Sequence, residues 1–227
     1  MYESAIISKL PTGEIEGIDL TKPFKEICRF LESNPKSLSW RGNNKPKLSE
    51  RDGVLKLADK FINGYKRSDF PAQPGTVPDE MVSIVMQAAY GYSESETEKI
   101  KIEHQHSMCA ENCVGALLER YIDSILRFHG WVWCCGDFIK AVDFIYPTSK
   151  GWNALQIKNR DNSENSSSSA IRNNTKIQKW FRTYSKTGET NWNNLPSLMV
   201  NKGLSEEGFI SYVHNYIEVE KIKLTQR

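Results

Sequence analysis

The spacing of apolar side chains divides the chain into a helical first half and a mixed second half. Phe24, Ile27, Cys28 and Leu31 recur at i, i+3, i+4 and i+7, and Val54, Leu55, Leu57, Ala58, Phe61 and Ile62 keep the same rhythm. Each stretch predicts an amphipathic helix. Gly42-Asn43-Asn44-Lys45-Pro46 and Phe70-Pro71-Ala72-Gln73-Pro74-Gly75 read as loops. A third helix is expected over residues 78–90, entered at Pro78. The strongest stripe, Val114, Leu117, Leu118, Tyr121, Ile122 and Ile125, predicts a helix over residues 110–129 that stops at Gly130. Past Gly130 the sequence favours strands, expected at 131–135, 139–146 and 152–158, with turns at Gly136-Asp137 and 147–151. A helix over 171–184, a short buried strand at 198–200 and a terminal helix over 206–219 complete the pattern. That order, helix, three strands, helix, strand, predicts an α/β fold with a mixed sheet flanked by helices.

Composition narrows the class. The 227 residues are 39% hydrophobic and 26% charged, which excludes a disordered tail or a collagen-like fibre. No run of about 18 apolar residues is present, so no membrane helix is expected. The start of the chain lacks a basic then apolar leader, and five cysteines form no framework spacing, so reduced thiols in the cytoplasm are expected. The net charge of +2 hides two basic stretches. Residues 36–67 carry nine Lys or Arg against Glu50, Asp52 and Asp59, and residues 158–186 carry seven against Asp161 and Glu164. Such patches suit a polyanion, because each cation placed on a phosphate releases a condensed counterion.

One constellation carries chemistry. Asp143 lies in the apolar run Ala141-Val142-Asp143-Phe144-Ile145, where an isolated carboxylate is costly without a partner or a metal. Thirteen residues later Gln156 and Lys158 stand two apart, on one face of the next expected strand. A carboxylate, an amide oxygen and an ammonium around one point can hold a hard divalent cation beside an attacking water. Phosphodiester hydrolysis needs those parts.

The pattern Asp143-x12-Gln156-x-Lys158 resembles the PD-(D/E)XK nuclease signature, with Val142 in place of Pro and Gln156 at the usual acidic position. Gly115-Ala116-Leu117-Leu118-Glu119 is similar to the G-x-x-x-E feature of the preceding helix, whose glutamate reaches the metal; Glu111 is the second choice. With residues 110–122 and Lys179-Trp180-Phe181-Arg182-Thr183, residues 105–192 resemble the SinI/AvaII-like type II restriction endonucleases. The resemblance implies a restriction-endonuclease-like core over residues 101–227. Residues 1–100 would form a mainly helical accessory region for DNA contact or dimerisation.

On this reading Mg2+ is held by Asp143, Glu119, the Gln156 amide and the Ile157 carbonyl, while Lys158 serves the attacking water. Arg160, Asn162, Ser163, Asn165, Ser166, Ser167 and Ser168 offer donors and acceptors to base edges, and Arg172, Lys176, Lys179 and Arg182 offer charge to phosphates. The implied substrate is double-stranded DNA at a short palindromic site of the GGWCC type, cut to 5'-phosphate ends. A palindrome calls for two active sites, hence a homodimer. A sequence-tolerant repair or recombination nuclease of the same fold, and a DNA-binding protein without catalysis, stay open at this point.

His104, His106, Cys109 and Cys113 hold four borderline ligands within ten residues but match no structural zinc spacing. Core cysteines and polar helix-entry histidines are expected instead. Cys134 and Cys135, adjacent on a strand, face opposite sides and are not expected to form a disulfide. No glycine-rich phosphate loop occurs.

Overall fold

The structure is a computed structural model that describes residues 1–41, 43–162 and 177–226. Helix α1 (Tyr2–Lys9), the hairpin β1 (Glu14–Ile15) and β2 (Ile18–Asp19), α2 (Thr21–Ser33) and α3 (Arg51–Lys66) come first. α2 buries Phe24, Ile27, Cys28, Phe30 and Leu31, and α3 buries Val54, Leu57, Ala58, Phe61 and Ile62, the stripes their spacing predicts. α1 sends only Ala5 and Ile6 into the core, too short a stripe to register as periodicity.

Helix α4 (Glu80–Tyr90) starts after Pro78 because the Asp79 side chain caps it, accepting from the Met81 N–H at 2.9 Å. Helix α5 (Glu94–Leu126) is 33 residues long, sixteen more at its N-terminal end than the apolar stripe indicates. Its first half buries only Thr97 and Lys101, so it carries no hydrophobic rhythm. It begins instead at a capping box between Ser93 and Glu96. A 3-10 turn at Arg127–His129 and a left-handed Gly130 end it.

The sheet runs β3 (Val132–Trp133), β4 (Phe144–Thr148), β5 (Gly151–Arg160) and β6 (Ile177–Thr183), and the terminal helix is α6 (Glu206–Thr225). The first three strands are antiparallel and β6 lies parallel to β5, so the sheet is mixed, as expected. Three expectations are corrected. Residues 177–183 are a strand rather than a helix: Ile177, Trp180 and Phe181 fall at helical spacing, yet β-branched and aromatic residues pair along β5 from Ala154↔Ile177 to Arg160↔Thr183. Residues 198–200 form a turn, with Met199 alone plugging the core. Residues 139–143 are not yet strand, because Ala141 takes a left-handed φ of 53°; Ile139 makes one bridge to Leu38, and β4 starts at Phe144.

One buried cluster runs from Ile6, Phe24 and Leu31 through Leu118 and Ile122 of α5 to Trp133, Phe144 and Leu155 of the sheet. The N-terminal helices are also tied to the turn before Asp143. A Cβ on Gly64 would lie 2.6 Å from the Gly136 nitrogen, and one on Gly136 would lie 2.5 Å from the Lys60 carbonyl. With a φ of 98° at Gly136, only glycine meets both demands there. The Ser39 N–H donates to the Phe138 carbonyl and the Lys140 N–H to the Ser37 carbonyl, both at 2.8 Å. Among the described residues no helix is long and apolar enough to cross a membrane.

Candidate active site

Asp143 sits between three strands. Its N–H donates to the Leu155 carbonyl and its carbonyl accepts from the Cys134 N–H, both at 2.8 Å. These bonds tie Asp143, one residue ahead of β4, to both neighbouring chain segments beside the Phe144↔Leu155 pair. Its Oδ2 accepts from the Ile157 N–H at 2.7 Å. Gln156 is buried, and Lys158 follows on the same face, half-buried.

Glu119 reaches this point from α5. It is half-buried, and its Oε2 accepts from the Trp133 indole N–H at 3.0 Å. Burial pushes the Glu119 carboxyl well up, and the Asp143 charge pushes it further, against the Trp133 bond and the Arg67 and Lys158 charges. Burial also raises Asp143, offset by the Ile157 N–H and Lys158. The Asp143 charge thus opposes ionisation of Glu119, while the Lys158 charge favours it at both carboxyls.

Among the described residues no three His, Cys, Asp or Glu side chains gather as a metal cluster. A cation at Asp143 and Glu119 would draw its further ligands from the Gln156 amide and the Ile157 carbonyl, an all-oxygen set. Two half-buried carboxyls whose ionisation burial opposes, with an amide and a carbonyl oxygen on β5, suit a hard divalent ion such as Mg2+.

The other expected residues are distributed differently. Glu111 is exposed and lies eight residues before Glu119, about 12 Å along the helix axis, so the structure does not bring it to Asp143. Arg160 and Asn162 are exposed at the far end of β5. Ser163, Asn165, Ser166, Ser167, Ser168, Arg172 and Lys176 lie outside the described residues. Lys179 pairs with Gln156 across the parallel strands, its Nζ 3.4 Å from the Asp161 carbonyl. Arg182 is engaged within the fold: Nε donates to Asn159 Oδ1 at 2.9 Å, and the guanidinium pairs with Glu206 and lies over Phe209. His104 and His106 are exposed, whereas Cys113 is buried with its thiol donating to the Asp69 carbonyl at 2.7 Å.

Sequence reasoning missed Trp133 and Arg67. Arg67 ends α3, bonds Asp69 at 3.0 Å and Asp137 at 3.5 Å, and its charge acts on Glu119. Its place in the basic stretch was the only available signal; nothing local marks the Trp133 N–H as facing a carboxylate. Gly115, one turn before Glu119, opens onto free space: an added Cβ would meet nothing within 4 Å.

This assembly has relatives. A model of the SinI restriction endonuclease family matches residues 5–219. Over 203 residues, covering 88% of each chain, the sequence is 46% identical to the type II restriction enzyme Eco47I of Escherichia coli. Over 213 residues, covering 90% of each, it is 43% identical to the type II restriction enzyme SinI of Salmonella infantis. Matched over nearly all its length by that family and by two of its curated enzymes, the chain belongs to the SinI restriction endonuclease family and is a type II restriction enzyme.

Proposed function

We propose that the protein hydrolyses double-stranded DNA in a Mg2+-dependent reaction at a short palindromic site of the GGWCC type, leaving 5'-phosphate ends. What supports this reading is the Asp143 charge acting on Glu119 of α5 and the Lys158 charge acting on both carboxyls. In this reading the core is of the PD-(D/E)XK kind, with Gln156 at its acidic position.

Asp143, Glu119, the Gln156 amide oxygen and the Ile157 carbonyl would hold Mg2+. Bound there, the ion would neutralise the scissile phosphate and make a water more acidic. Lys158 orients that water and offsets the negative charge that grows on the phosphate during in-line attack. A site built this way costs little to reorganise, because Asp143 is already fixed to β5 by the Ile157 N–H. Gln156 lowers the negative charge of the ligand set by one relative to a carboxylate.

Arg160 and Asn162 stand where β5 leaves the site, followed by Ser163, Asn165, Ser166, Ser167 and Ser168 as base readers. Arg172, Lys176 and Lys179 would hold backbone phosphates. The open space before Gly115 suits close approach of a strand to Glu119. Two copies would act as a homodimer on the two strands of a palindrome. Residues 1–100 would contribute DNA or dimer contacts through the basic stretch. The protein would act in the cytoplasm, where its free cysteines stay reduced.

The test is a sequenced plasmid incubated with Mg2+ or with EDTA, followed by sequencing of product ends. Discrete Mg2+-dependent fragments sharing one palindromic site with 5'-phosphates are expected. A plasmid left intact at every divalent metal tried, or a ladder without a common end, would overturn the proposal.

A further inference from the structure

Glu119 stands on a helix and its companions on a sheet, so the position of its carboxylate depends on what docks α5 against the sheet at this point. The Trp133 indole does so. It is 2% exposed, and its N–H donates to Glu119 Oε2 at 3.0 Å. The ring is itself held on two sides. Tyr65 meets it edge-on with centroids 5.1 Å apart, and the Arg120 guanidinium lies 5.1 Å from its centroid. Arg120 is fixed in turn by an ion pair with buried Asp69 and by donating to the Tyr65 carbonyl at 3.2 Å and the Gly64 carbonyl at 3.3 Å.

We infer that Trp133 is a positioning residue for the metal-binding carboxylate, and that Arg120, anchored on Asp69, holds the indole in the donating orientation. The inference rests on the proposed role of Glu119 as a metal ligand. Its physical basis is direct. A glutamate side chain has free rotations and is repelled by Asp143, so without a fixed donor it would swing from the site when no cation is present. A neutral N–H fixes one oxygen without adding a charge that would compete with the metal. Donors of this kind behind a ligand change metal affinity by about 10–100-fold when removed.

The test is Trp133→Phe, which removes the donor and keeps an aromatic ring, assayed for cleavage across a Mg2+ series. The Mg2+ concentration for half-maximal cleavage should rise about tenfold. At saturating Mg2+ the rate should return to within a few-fold of the parent, although the unfolding midpoint in EDTA falls with the lost buried ring. An unchanged half-saturation, with or without a lower midpoint, would reduce Trp133 to a packing role and overturn the inference. If W133F fails to fold, 3-benzothienylalanine at position 133 replaces the N–H by sulfur within the same bicyclic shape, and the same shift is required of it. Glu119→Gln separates the two layers of the argument: it should cut poorly at every Mg2+ concentration. Full cleavage by E119Q would instead remove Glu119 as a ligand.

Discussion

The Asp143 carboxylate accepts the Ile157 main-chain N–H at 2.7 Å, so the aspartate is fixed by the residue that separates Gln156 from Lys158. One hydrogen bond across neighbouring strands therefore sets the spacing between carboxylate, amide and ammonium. A slip of one residue in β4–β5 pairing would turn every one of these side chains to the other face.

The carboxyl pair should oppose stability when no metal is bound. Asp143 and Glu119 are both raised by burial. A group raised in the folded state contributes stability below its unfolded value and loses it as pH rises through the folded one. Asp143→Asn and Glu119→Gln should therefore unfold at higher temperature than the parent at pH 8 in EDTA, with the gap closing toward pH 4. Both should lose cleavage. Thermal unfolding in EDTA across that pH range checks the sign, and a gap that widens toward acid would contradict it.

Lys158→Ala should abolish cleavage and leave DNA binding in EDTA within a few-fold, because its charge serves two carboxyls and the reacting phosphate more than the duplex as a whole. Filter binding alongside plasmid cleavage distinguishes the two effects. Retained cleavage would take Lys158 out of the active site.

Gly115 offers a test of substrate approach. Its missing side chain meets nothing in the protein, so Gly115→Ala should stabilise α5 by about 0.5–1 kcal/mol. Gly115→Leu should fold as well as the parent yet cut at least tenfold more slowly, as the side chain fills space a DNA strand needs. Equal cleavage by parent and G115L would show that no strand passes there.

Much of this site was legible because its residues are close in the chain and obey strand and helix periods. Asp143 immediately precedes β4, and Gln156 and Lys158 lie on β5, the two strands being joined by a tight turn at Thr148↔Gly151. Glu119 came from a pattern on the preceding helix. The strand β6 was not legible, since Ile177, Trp180, Phe181 and Tyr184 satisfy helical spacing and only pairing with β5 decides the outcome. Arg67 and Trp133 escaped for another reason: their partners lie 52 and 14 residues from them, on other elements, so no local period reports them. The long exposed half of α5 escaped because it buries almost nothing.

Away from the site, Arg127 and Asp123 pair at 2.5 Å, with Asp123 only 2% exposed and hydrogen-bonded by Tyr65. Burial outweighs the pair and pushes the Asp123 carboxyl up to about 6. Arg127→Ala should cost about 3 kcal/mol at pH 8 by stranding a buried charge. The loss should shrink below pH 5, where Asp123 takes up its proton, and urea unfolding at the two pH values measures it. Equal losses at both would show that Asp123 is not the source.

The Gly64–Gly136 contact has a consequence for how this enzyme comes to exist. Glu119, Asp143 and Lys158 fall within 40 residues of chain, yet the turn that leads to Asp143 is clamped by segments some 70 to 100 residues earlier. During synthesis the N-terminal helices emerge before the turn they clamp, and that turn emerges before Asp143 and Lys158. A chain whose early helices have failed has no seat for its aspartate. For a protein that breaks DNA, misfolding then means harmlessness rather than a loose blade.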